Sequence, residues 1–289
     1  MFFFKNNNLP SKQDLIARAF DPKNNITDIL FLFPPTSIGN YSHRYGKEDL
    51  GDLKGDLIPL GIAALAAYLR QHNFGVGALD CVALNISHDE IIDIIKKKKP
   101  KSVAISATTY ALPASTKLSE RLRKEFPDLL IILGGSHANV AGMDAAKNIP
   151  SVDIVSYHPE GETVVLQIIK EFKKTEYDRK IFTQNVEALK KIKGIIFKDG
   201  DNIHKTAPGE IIKDLDFLPF PARDLFPMER YVPLPNQYKR LPLTNMVVIR
   251  GCPYVCTFCD QAATIARRRS PQKVIDEIKH CVENYGTRE

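Results

Sequence analysis

Short apolar runs alternate with stretches of helical periodicity from residue 27 to about 174. Residues 27–33 (TDILFLF) are apolar and stop at Pro34-Pro35. In 59–72, Leu60, Ala64, Leu65, Tyr68 and Leu69 form one stripe, the spacing of an amphipathic helix. The pattern then predicts a strand over 75–80 and a helix over 88–99, with Ile91, Ile94 and Ile95 facing inward. A buried strand over 101–107 precedes a helix over 113–126 that opens with proline. Residues 129–133 read as a strand ended by Gly134-Gly135, 139–148 as a weakly patterned helix, 152–155 as a short strand and 161–172 as a helix. Strands that alternate with helices imply a parallel sheet covered on both faces. The fold class is therefore α/β, with right-handed crossovers giving a flavodoxin-like, doubly wound parallel sheet.

The second half has a different texture. Residues 175–189 are polar and weakly patterned, and 193–197 and 202–206 flank Lys198-Asp199-Gly200-Asp201, a hairpin signal. Seven prolines between Pro208 and Pro242 predict an extended connector rather than a helix or central strand. Its aromatics, Phe217, Phe220, Phe226 and Tyr231, are expected to anchor it on a domain. Residues 245–250 read as the first strand of a second α/β unit. Ser270-Pro271 starts a helix with Val274, Ile275, Ile278 and Cys281 or Val282 as its apolar stripe. The expected organisation is an N-terminal extension (1–25), an α/β domain (26–174), a hairpin and Pro-rich connector (175–242) and the start of a second domain (243–289).

Open α/β sheets bind ligands beyond the carboxyl ends of their strands. There the chain places Pro34, Pro35 and Thr36 after the first strand, and Ser106, Thr108 and Thr109 after the third. Gly134, Gly135 and His137 follow the fourth strand, and Tyr157, His158, Glu160, Gly161 and Glu162 the fifth. Glycines allow close backbone approach and hydroxyls supply hydrogen bonds without bulk. Taken alone, the same residues also suit ordinary turns and caps.

Cys252, Cys256 and Cys259 carry the sharpest chemistry. Their C-x3-C-x2-C spacing follows an apolar run, Met246 to Ile249. A cubane iron–sulfur cluster normally takes four thiolates, so three leave one iron open. The alternative is a structural zinc site, which usually wants four protein ligands. Cys81, Cys281 and His280 offer no pattern that completes one.

The string Arg250-Gly251-Cys252-Pro253-Tyr254-Val255-Cys256-Thr257-Phe258-Cys259 resembles the signature of the radical S-adenosylmethionine (SAM) enzymes, in particular the subgroup with a cobalamin-binding domain in front. Over about 26–172, the order Phe33-Pro34-Pro35, Ser106-Ala107-Thr108, Gly134-Gly135-Ser136-His137 and Gly161-Glu162 looks like that cobalamin-binding domain. The resemblance implies a 4Fe-4S cluster on Cys252, Cys256 and Cys259, with SAM on the fourth iron and Phe258 beside its adenine. It also implies cobalamin contacts from Pro35, Thr36, Ser106, Thr108, Thr109, Gly134, Gly135, His137, Tyr157, Gly161 and Glu162. Reductive cleavage of SAM would release a 5′-deoxyadenosyl radical, and cobalamin would carry a methyl group to an unactivated carbon. Ring closure or rearrangement, and a non-catalytic cobalamin-binding fragment, are the alternatives. A one-electron reductant such as flavodoxin or ferredoxin is the implied partner, beside a small-molecule substrate that stays unnamed. The second domain would be the opening of a radical SAM (β/α) partial barrel, which would only have begun at Glu289. One feature departs from many cobalamin proteins: the first loop lacks Asp-x-His-x-x-Gly, so neither His43 nor His137 is expected under the cobalt.

Composition changes little in this picture. The chain has 289 residues, 44% hydrophobic and 26% charged, enough for a large core and roughly two domains. A net charge of +6 is not by itself a nucleic-acid footprint. No apolar run reaches the ~18 residues of a membrane span. Five cysteines, three of them crowded, suit a reducing compartment and metal binding better than disulfides, and a cytoplasmic location is expected. Lys96–Lys99 reads as a solvated helix end, and Arg267–Arg269 as a solvated loop, with contact to an anionic group as the alternative.

Overall fold

The computed structural model describes residues 10–22, 24, 26–35 and 57–289. Thr36 and His43 lie outside these residues. The first described helix is α1 (Lys12–Arg18), capped by Ser11. The alternation that follows is β1 (Ile29–Phe33), α2 (Leu60–Gln71), β2 (Val76–Asp80), α3 (His88–Lys98), β3 (Ser102–Ser106) and α4 (Leu112–Glu125). It continues with β4 (Leu130–Gly134), α5 (Ser136–Asn148), β5 (Ile154–Ser156) and α6 (Gly161–Lys174). The helix over 139–148 starts three residues earlier than its pattern suggests and is kinked at Ala141.

The strands order as β2-β1-β3-β4-β5, all parallel. This is the flavodoxin-like order, and progress along the sheet reverses between β1 and β3. Alternate residues of each strand feed different faces. Ile29 and Phe31 pack with α2 and α6, while Leu30 and Leu32 pack with α1, α3, α4 and α5.

Three features differ from the sequence reading. First, the hairpin is part of the main sheet: β6 (Ile195–Asp199) pairs antiparallel with β5, and β7 (Asn202–Lys205) with β6. Among the described residues the sheet thus has seven strands, not five. Its register, Ile154 opposite Phe197 and Val155 opposite Ile196, carries the face alternation of β5 into β6. The polar stretch before it holds two short helices, α7 (Arg179–Gln184) and α8 (Val186–Lys191), which bury Phe182 and Leu189.

Second, the Pro-rich connector is not extended. Four 3-10 turns run along it, and it docks on α2 through Ala222 N–H donating to Ala63 O at 2.9 Å. Phe226 and Tyr231 are buried in the α2/α6 core, and Tyr231 donates to the buried Asp80 at 2.9 Å. Arg18 to Glu229 and Arg70 to Asp224 add two-pronged ion pairs. Phe217, by contrast, is 77% exposed and anchors nothing.

Third, the strand expected over 245–250 is only β8 (Ile249–Arg250), paired antiparallel with β9 (Arg267–Arg268). The last helix is α9 (Pro271–Tyr285), capped by Ser270 with Pro271 at its first position. Of the expected apolar stripe, only Cys281 is buried. Glu277 and Cys281 are buried, whereas Ile275, Ile278 and Val282 stand about half exposed. The fully buried Arg223 explains this: it binds Glu277 at 2.7 Å and draws that side of the helix inward. Among the described residues no helix is long and apolar enough to cross a membrane.

Two stability outcomes follow. Phe226→Ala should cost about 3–5 kcal/mol, as emptying a buried aromatic site does, whereas Phe217→Ala should stay within about 0.5 kcal/mol. Urea denaturation of the two variants checks the docking of the connector. Gly135 lies at φ +93, where an added Cβ would sit 2.6 Å from Ala107 O. Gly135→Ala should therefore cost at least ~1–3 kcal/mol. Gly134→Ala should be nearly neutral in the same assay, because its nearest neighbour would be 4.0 Å away.

Candidate functional site

The carboxyl edge of the sheet is one wall of a cleft of about 780 Å³. Ser106 at the end of β3, Gly134 and Gly135 after β4, Ser156 at the end of β5, and His158 and Glu160–Glu162 line it. The opposite wall is the β8–β9 hairpin: Ile249 to Cys252, Thr264, Ile265 and Arg267. The site therefore joins the two halves of the chain.

Local chemistry shapes the sheet wall. The φ of +93 at Gly135 folds the loop after β4 against the loop after β3, and His137 N–H donates to Ala107 O at 3.1 Å. His137 Nδ1 lies 3.1 Å from Thr109 Oγ1, and its Nε2 is buried without a partner. Thr108 Oγ1 accepts Ala111 N–H at 3.2 Å, an ordinary turn contact. Tyr157 gives its hydroxyl to Thr206 O at 2.7 Å. Of the sequence-derived candidates for cobalamin contact, Ser106, Gly134, Gly135, Gly161 and Glu162 line the cleft. Among the described residues, Pro35, Thr108, Thr109, His137 and Tyr157 are not in its lining.

His158 deserves more weight than its sequence context suggested. It is 8% exposed and lines the cleft. Its Nδ1 accepts Glu160 N–H at 3.2 Å. Burial lowers its pKa, which the nearby Glu160 partly opposes. The ring is thus neutral at neutral pH with its proton on Nε2, a hydrogen-bond donor.

The hairpin wall is held by ion pairs. Arg250 grips Glu162 with two contacts, 2.5 and 3.1 Å, and reaches Glu160 at 3.4 Å. Arg267 meets the other Glu160 oxygen at 2.6 Å and donates to Ile212 O at 2.6 Å. Arg269 binds Glu277 at 3.2 Å. Burial alone pulls the Arg250 pKa down, but Glu162 and Glu160 outweigh it and the net direction is up. The run at 267–269 is therefore no solvated loop: two of its three arginines are spent on buried carboxylates. Sequence reasoning missed Glu160 because it lies 107 residues from Arg267, and missed Glu277, only 8 residues from Arg269, because its burial depends on the distant Arg223.

The cysteine loop springs from this hairpin. Gly251, at φ +84, passes so close to the opposite strand that a Cβ would lie 2.2 Å from Ile265 O. Cys252 N–H donates to Thr264 Oγ1 at 2.8 Å, and Thr264 N–H returns to Cys252 O at 2.9 Å. Thr264 thus closes the base of the loop, and Ala263 N–H to Tyr254 O at 2.7 Å closes it further up. Cys252 lines the cleft, Cys256 is exposed, and Phe258 is 90% exposed and outside the cleft lining.

Among the described residues no three His, Cys, Asp or Glu side chains converge at metal-binding distance. The donor chemistry nevertheless fits a thiolate-held cluster: three free thiols on one accessible loop, with Cys252 at the cleft. Cys81 and Cys281 differ, since burial pushes both thiols up and disfavours the thiolate. His280 packs its ring 5.5 Å from Phe220 and pairs its Nδ1 with the Asn284 amide at 3.1 Å.

The chain is similar to known proteins in sequence and in fold. The B12 binding domain family matches residues 47–168. An uncharacterised methyltransferase of Pyrococcus horikoshii is 27% identical over 234 residues, 80% of this chain and 47% of that protein. The anaerobic magnesium-protoporphyrin IX monomethyl ester cyclase of Cereibacter sphaeroides is 28% identical over 261 residues, 89% of this chain and 39% of the cyclase. In structure, the cobalamin-dependent S-adenosylmethionine radical enzyme OxsB, solved with aqua-cobalamin bound, superposes with a TM-score of 0.67 at 17% identity, over 91% of this chain and 33% of its own. The chain spans less than half the length of each. Residues 47–168 thus match the B12 binding domain family, in a chain whose sequence is similar to part of a longer methyltransferase and a longer cyclase and whose fold is similar to part of OxsB.

Proposed function

We propose that this chain binds cobalamin along the carboxyl edge of its sheet and carries a 4Fe-4S cluster on Cys252, Cys256 and Cys259, for radical methyl transfer from SAM to an unactivated carbon. One observation carries the reading: a single cleft has the glycine- and hydroxyl-rich sheet edge as one wall and the base of the C-x3-C-x2-C loop as the other. With the cluster, SAM and cobalamin bound, the site would supply one-electron cleavage of a sulfonium and a cobalt-borne methyl group. The chain's own residues do the rest. Gly134 and Gly135 let backbone approach a flat ring closely, and His158 offers an Nε2–H donor. The hairpin forms the wall opposite the sheet edge, and positioning the bound groups is the protein's share in cofactor chemistry. Phe258, exposed beside the third cysteine, is available to stack on adenine. The similarity to a cyclase supports ring closure as the second reading. Analysis of the product, methylated or cyclised, separates the two.

Anaerobic reconstitution should load about four irons per chain with a cluster reducible to a paramagnetic state. Cys252→Ala, Cys256→Ala and Cys259→Ala should each abolish it, and Cys81→Ala and Cys281→Ala should not. Zinc in place of iron, one per chain, would overturn the cluster.

Hydroxocobalamin should remain with the protein through gel filtration. In the cobalt(II) form, electron paramagnetic resonance should show no nitrogen splitting that depends on His137 or His158. A splitting lost in His137→Ala or His158→Ala would show that a protein histidine binds the metal.

A further inference from the structure

Glu162 occupies a position where the sequence suggests a cofactor contact, at the start of α6 beyond β5. Its environment gives it another task. Glu160 and Glu162 are each 3% exposed, and every one of their four carboxylate oxygens meets a guanidinium. A hydrogen bond from a ligand to Glu162 would have to compete with a two-pronged Arg250 contact, among the strongest pairings available to a carboxylate. Arg250 in turn is two residues from Cys252. The link between them is stiff: Gly251 is pressed against Ile265 O, and Thr264 ties both backbone groups of Cys252.

We propose that Glu160 and Glu162, with Arg250 and Arg267, form a latch that holds the base of the cysteine loop over the ligand edge of the sheet, Glu162 being a positioning residue that acts through Arg250 and not a contact to bound cobalamin. The proposal rests on the functional reading above only for the identity of what the two walls hold. The latch itself is a property of the cofactor-free chain. Removing one partner strands a buried charge on the other, whereas removing both leaves none. The double variant should therefore stay folded even where a single variant is strained.

The test uses the full cofactor-free chain in a C256S/C259S background, which leaves Cys252 as the one loop thiol beside the buried Cys81 and Cys281. The rate of Cys252 modification by a disulfide reagent is followed, with far-ultraviolet circular dichroism as the check on folding. E162Q and R250Q should each raise the rate on the order of tenfold, the change that about 1.4 kcal/mol of lost restraint produces. E162Q/R250Q should raise it no further than either alone, because coupled partners are non-additive. R250K should recover most of the protection. R268Q, on the exposed neighbour in the same hairpin, should change nothing. In the chain with all cysteines present, E162Q should leave hydroxocobalamin affinity within about threefold, well short of the tenfold that a lost contact of about 1.4 kcal/mol would cost. A tenfold weaker affinity with an unchanged Cys252 rate would make Glu162 a ligand contact and overturn the latch, as would additive effects of E162Q and R250Q. A chain that binds no cobalamin defeats the functional reading instead, and the Cys252 rates still decide the latch.

Discussion

Guanidinium–carboxylate pairs taken out of water hold the two halves of this molecule in register. Burying such charges is expensive, and attraction repays the cost only where geometry is good and the remaining donors find partners. Arg250 and Arg267 meet those conditions: between them they saturate Glu160 and Glu162, and the spare donor of Arg267 reaches a backbone carbonyl. Glu160 is the N-cap residue of α6 and Glu162 lies in its first turn, at the end where a helix favours negative charge. A second cluster, Arg223 and Arg269 around Glu277, fixes the last helix to the connector. Placing β8 and β9 fixes the base of the cysteine loop, and placing α9 fixes the strand that precedes it.

The order of strands and helices from β1 to α6 was legible because local period and buried periodicity coincide there. Ile29, Phe31, Leu30 and Leu32 already declare two covered faces. What escaped was everything decided by distant pairing. Nothing near Lys193 announces that its strand will join β5 antiparallel, since the hairpin signal describes only the turn. The stripe of Ile275, Ile278 and Val282 was misleading because the buried Arg223, 54 residues from Glu277, pairs with that carboxylate and turns its side of the helix inward. Prolines in the connector correctly forbade long helix and central strand, but they say nothing about docking, which Phe226 and Tyr231 decide.

The candidate site shows the same division. The C-x3-C-x2-C spacing and the Gly134-Gly135 turn were visible as strings, each with a local backbone reason: thiols on one short loop, and a φ that side chains avoid. His158 and Arg250 were present in the same strings without a distinguishing mark. Their importance lies in what faces them. Burial then sorts the cysteines in a way that composition cannot, since Cys81 and Cys281 share the chemistry of the loop thiols but not their access to solvent.

The routing of the connector carries a last consequence. A flexible tether between two units would present the cysteine loop to the sheet edge only intermittently, at an effective concentration set by its length. This tether has no slack. Its backbone is bonded to α2 at Ala63, its tyrosine to β2 at Asp80, and Asn245 at its far end to Ile58 O. Lengthening or swapping a segment that joins two cofactor-bearing units is a common engineering move; here it would dismantle part of the hydrophobic core. The connector is in effect a third layer of the domain, and the distance between the two walls of the cleft is inherited from that packing.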